Sequence, residues 1–134
     1  MKRTIAVLRI ICGLLVFAVG LLNLGAFGFE PPVAGPDARQ FQLAMQEAGY
    51  FMPIMSAMFL IAGASFVTNR YAALMAAALF PVSINILLYH TILNAGEMAA
   101  AVIFFAINIF MLWYCREAYV PLLCSKLPSE KVSD

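Results

Sequence analysis

The stretch YFMPIMSAMFLIAGASFVTNRYAALMAAALFPVSINILLYHT, residues 50–91, decides the fold. It holds two apolar runs, Tyr50–Thr68 and Tyr71–Thr91, parted only by Asn69 and Arg70. A helix needs roughly 20 apolar residues to cross the ~30 Å hydrocarbon core of a bilayer. Both runs approach or reach that length, and neither shows the period-two alternation of a barrel strand. Spanning helices joined by so short a connection are antiparallel neighbours. Working outward, a third run covers about residues 6–29. A fourth, after the turn Leu93-Asn94-Ala95-Gly96-Glu97, covers about 98–119. The predicted class is all-α: one transmembrane domain over 1–134, folded as an antiparallel up-down four-helix membrane bundle. The tail, 120–134, is expected to fray.

Composition leads to the same class. Hydrophobic residues make up 64% of the 134 and charged residues 11%, against roughly 45–50% and about 25% in soluble domains. A soluble domain this small buries only about two thirds of its chain surface, so lipid must take the excess. Lys2 and Arg3 followed by an apolar run suggest a secretory leader. The run extends to about Phe29, however, longer than a leader's apolar region, and is expected to be a retained helix. Cys12, Cys115 and Cys124 form no CxxC pair, and neither a disulfide framework nor a metal set is expected.

Between the first two spans, Glu30-Pro31-Pro32-Val33-Ala34-Gly35-Pro36 is incompatible with continuous helix. Asp37-Ala38-Arg39-Gln40 reads as a capping box, and Phe41, Ala44, Met45 and Ala48 follow at helical spacing. Residues 37–48 are expected to form a short amphipathic helix on the membrane surface, ended by Gly49. Charge sets the orientation. Of eight basic residues, all but Arg39 fall on the side of the two termini and the Asn69-Arg70 turn; Glu30, Asp37, Glu47 and Glu97 lie opposite. The positive-inside rule then places both termini in the cytoplasm.

Helical spacing groups Arg9, Gly13, Val16, Gly20, Asn23, Phe27 and Glu30 on the inward face of the first helix, with Gly13 and Gly20 allowing close approach. Ser56 and Gly63 share a side of the second, where helix packing is expected. Pro81 should bend the third and free a carbonyl near residue 77. On that helix Ser83 and His90 share one face, Asn85 and Tyr89 another, as expected of a central helix or one that meets a partner. Glu97, Ala101, Asn108 and Cys115 line one side of the fourth. Asn23 and Asn108 fit either interhelical hydrogen bonds or ligand contacts. Glu97 fits a capping box begun by Asn94 or a polar site. His90, the only histidine, fits a structural hydrogen bond or a proton-exchanging contact. Asn23, Glu30, His90 and Glu97 would line a polar pocket at the outer end of the bundle, and Asn108 completes the candidate set. A lone histidine is not a metal site. No phosphate loop, GxSxG elbow, HExxH motif or nucleic-acid patch is present.

The order and spacing of Leu8-Arg9-Ile10-Ile11-Cys12-Gly13, Phe17 and Gly20, then Gly49-Tyr50-Phe51-Met52-Pro53, Gly63, Phe80-Pro81-Val82-Ser83-Ile84-Asn85 and His90 resemble the DoxX-like family of small four-helix membrane proteins, over about residues 5–119. Asn23 stands where many members carry lysine. The resemblance implies a bacterial inner-membrane protein. Some members are linked to thiosulfate–quinone oxidoreductases or other membrane redox assemblies. On that basis the chain is expected to be an accessory subunit binding a quinone or isoprenoid lipid, with membrane or periplasmic redox partners or further copies of itself. Nothing in the sequence carries electrons alone. Two alternatives stand beside it: a structural or assembly protein without a small-molecule site, and a membrane enzyme acting on an apolar lipid. A small-solute transporter is a weaker fourth reading.

Overall fold

The computed structural model describes residues 2–25 and 35–123. Among them there is no strand. The helices are α1 (Lys2–Asn23), α2 (Pro36–Glu47), α3 (Phe51–Thr68), α4 (Ala72–Ile92), α5 (Met98–Tyr114) and α6 (Arg116–Tyr119). A 3-10 turn, Ala95–Glu97, leads into α5, and another, Val120–Leu123, follows α6.

Four segments are long and apolar enough to cross a membrane: Arg3–Asn23, Phe51–Thr68, Ala72–Ile92 and Ala95–Tyr114. At 1.5 Å per residue they measure about 27–32 Å, matching the bilayer core. No more than 33% of the apolar stretch of any one is buried inside the protein. Ile61 and Ile103 instead point outward, 57% and 59% exposed. Such faces belong in lipid, and the chain is a multi-pass membrane protein.

Without a hydrophobic drive between helices in lipid, association depends on close packing. The closest pair is α1 with α3. A Cβ on Gly13 would stand 2.8 Å from the Val67 nitrogen and 2.9 Å from the Gly63 carbonyl; one on Gly63 would stand 2.6 Å from the Phe17 nitrogen. Gly20 meets Leu60 in the same way. Contacts thus advance along α1 as they retreat along α3. Arg9, buried, donates from Nη1 to the carbonyls of Phe66 and Val67. Those carbonyls lie in the last turn of α3, where oxygens lack intrahelical partners and the helix dipole is negative. All four spans contribute to one core: Val16 from α1, Phe59 and Phe66 from α3, Leu79 from α4, Phe104 and Met111 from α5. Phe59 and Phe104 meet edge to face at 5.4 Å.

Several boundaries differ from the sequence reading. Helix α1 ends at Asn23, with Leu24 and Gly25 in a turn; the expected continuation to 29 lies outside the described residues. Helix α2 starts at Pro36, whose fixed φ suits the first turn, with extended Gly35 before it and no side-chain cap from Asp37. Its buried residue is Ala38, with Gln42 and Met45 half-buried; Phe41, Ala44 and Ala48 are exposed. The stripe is shifted because α2 is held to the other helices through Ala38, whose carbonyl faces the Tyr89 hydroxyl at 3.4 Å. The expected helix 98–119 is interrupted at Cys115, whose ψ of 7° leaves the α region. Asn69 and Tyr71 both adopt left-handed φ, 59° and 58°, and so reverse the chain between α3 and α4.

Gly63→Ala is expected to lower stability in detergent by about 1–3 kcal/mol through backbone collision, with the neighbouring exposed Ala64→Val within about 0.5 kcal/mol of the parent; thermal unfolding measures both. Arg9→Met should lose about 1.5–3 kcal/mol for its charged hydrogen bonds, and Arg9→Lys should recover part of that in the same assay.

Candidate functional site

At one end of the helix set α1 and α4 finish and α3 and α5 begin. Asn23, His90 and Glu97 all fall at this end and are all half-buried. None hydrogen-bonds to another. Asn23 donates from Nδ2 to the Val19 carbonyl, one turn back on its own helix, at 3.0 Å. Glu97 closes the 3-10 turn before α5, and the Asn94 side chain makes no cap there. Glu30 lies outside the described residues.

His90 has the most informative geometry. Its Nδ1 stands 2.8 Å from the Ile86 carbonyl. A carbonyl only accepts, so Nδ1 carries the proton, and the neutral ring presents Nε2 as an acceptor. Among the described residues Nε2 has no partner. The Tyr89 ring stands perpendicular to the imidazole at 4.9 Å and also packs against Phe41 at 5.4 Å. The arrangement fixes the imidazole while leaving one nitrogen able to accept a proton or hydrogen bond.

Asn108 belongs elsewhere. It is 1% exposed; its Nδ2 donates to the Ala76 carbonyl at 3.0 Å and its Oδ1 faces the Ser83 hydroxyl at 3.1 Å. Ser83 lies seven residues before His90 on α4, about 10 Å along the axis. The carboxamide therefore bridges α4 and α5 inside the core, in the turn of α4 where Pro81 weakens the backbone ladder. The carbonyl it satisfies is that of Ala76, beside the one that the proline should free.

A feature absent from the candidate set is a groove of about 220 Å³ lined by Phe41, Asn85, Leu88, Tyr89, Ile92 and Leu93. Asn85 is its one carboxamide; it is exposed and has no hydrogen-bond partner among the described residues. The sequence placed Asn85 and Tyr89 on a shared face; that the face lies open depends on helix rotation. At the opposite end, burial raises the Cys115 thiol pKa above its ordinary value while nearby Arg9 pulls it down. Among the described residues no three His, Cys, Asp or Glu side chains gather as a metal-binding group.

Set against protein-family models, curated proteins and solved structures, the chain matches none.

Asn108→Ala would leave the Ala76 carbonyl without its interhelical donor. It is expected to cost about 1–2 kcal/mol, measured by thermal unfolding, while leaving any ligand at the His90 end bound.

Proposed function

We propose that this protein is a DoxX-like antiparallel four-helix bundle of the bacterial inner membrane. In this reading both termini are cytoplasmic and α2 lies on the outer surface. The protein binds a quinone or another isoprenoid lipid and serves as an accessory subunit of a membrane redox process. The observation that carries the reading is His90: a half-buried imidazole with Nδ1 tied to Ile86 and Nε2 unpartnered among the described residues. At this depth a hydroxyl-bearing lipid head could donate to Nε2, and the ring could take up or return its proton. Asn23 and Glu97 stand at the same end as further polar contacts, while the tail would lie along the apolar helix faces. Electrons would pass between the bound lipid and a partner protein.

A second reading is favoured by a specific observation. Asn23, Asn108 and His90 each already make a hydrogen bond within the protein, as a structural or assembly subunit without a ligand would require.

Native mass spectrometry of the gently extracted protein, followed by identification of extracted lipids, separates the two. A stoichiometric quinone or isoprenoid, lost in His90→Ala and Asn23→Ala variants that remain folded, is the expected result. A protein carrying only bulk phospholipid, equally in all three forms, would support the assembly reading instead.

A further inference from the structure

Asn85 poses a problem that the reading of the His90 end does not address. Helix α4 runs from Ala72 to Ile92, so Asn85 lies three residues, about 4–5 Å, past its midpoint. That is inside the hydrocarbon core. Asn85 is exposed, and no described residue bonds to its carboxamide. An unpaired amide in hydrocarbon is strongly unfavourable. Water and phospholipid headgroups do not reside at this depth. The missing partner must be polar and itself embedded in the membrane.

The surroundings show what shape that partner takes. Leu74, Ala77, Pro81, Asn85, Leu88 and Ile92 are all exposed on α4, at intervals of three and four residues, the spacing of a helix-pairing seam. Comparable exposed stripes occur on α3 and α5, as on any helix facing lipid; only the α4 stripe carries an unpartnered amide. Below Asn85 the seam is low, with Ala77 and Pro81, and admits a close helix. Above it is the groove, about 220 Å³. That is smaller than the roughly 300–1,000 Å³ of ordinary small-molecule pockets but suited to side chains from a facing helix.

We infer that the α4 face pairs with the same face of a second copy, across a twofold axis normal to the membrane. All copies are inserted in one orientation, so identical residues lie at identical depth, and Asn85 of one copy meets Asn85 of the other. A carboxamide is self-complementary: it carries both donors and acceptors, and two of them related by the axis satisfy each other reciprocally. Leu88 and Ile92 of each copy fill the groove of the other. The pairing does not use His90, which is not among the residues that line the groove.

The test co-reconstitutes donor- and acceptor-labelled copies in phosphatidylcholine vesicles and follows energy transfer as lipid dilutes the protein. Wild type should show transfer above random proximity, and Asn85→Gln should keep it. Asn85→Leu should need about 3- to 30-fold more protein per lipid for half-maximal transfer, with its unfolding temperature in detergent not reduced, so that misfolding is not the cause. Leu88→Cys should form an oxidative dimer above the level given by the native cysteines, and Ile61→Cys on the lipid face of α3 should not. Random-proximity transfer in wild type, unchanged association of Asn85→Leu, or equal crosslinking from Ile61→Cys would each overturn the inference.

Discussion

The meeting of two backbones at Gly13 and Gly63 is the constraint from which the rest of the structure follows. In lipid, apolar side chains gain nothing by leaving one another's company, so helices hold together where their main chains come close enough for dense packing. With side chains absent at Gly13, Gly20 and Gly63, α1 lies directly on α3. That contact fixes the rotation of α1: Val16 enters the core, and Leu14 and Leu15 face the lipid. Arg9 then fastens the pair at one end by capping the carbonyls of α3.

Polar residues are divided by what satisfies them. Asn108 and Ser83 bind α4 to α5 from inside. Asn23 and His90 turn back on their own helices near the surface, and His90 keeps one nitrogen in reserve. Asn85 alone, among the described asparagines, places its amide on the lipid-facing side of a span without a partner. The same residue type thus serves internal cohesion at Asn108, a local helix bond at Asn23 and an open position at Asn85.

The spans and the inward face of α1 were legible because length, apolar content and glycine spacing are local properties. Arg9 was legible as an inward residue and as a topology charge, but not as a cap for α3, because its partners are 57 and 58 residues away. The choice between ligand and helix for Asn108 likewise depended on a neighbour that only the packing supplies. The break at Cys115 has neither proline nor glycine to announce it. Of the proposed outer site, the sequence brought Asn23, His90 and Glu97 to one end, but the rotation that opens Asn85 and shifts the packed stripe of α2 to Ala38 is tertiary. Glu30 stays an expectation from sequence, outside the described residues.

The left-handed residues Asn69 and Tyr71 also bear on how the protein is made. With so little chain between Thr68 and Ala72, α3 cannot complete its crossing without drawing the start of α4 to the same surface. The two helices therefore constitute a single unit of membrane insertion. As a nascent chain emerges, α1 waits for that hairpin: its glycines have no surface to meet until α3 is in place, and Arg9 has no carbonyls to cap. The order of synthesis thus makes the first helix a docking site prepared in advance for the second arrival.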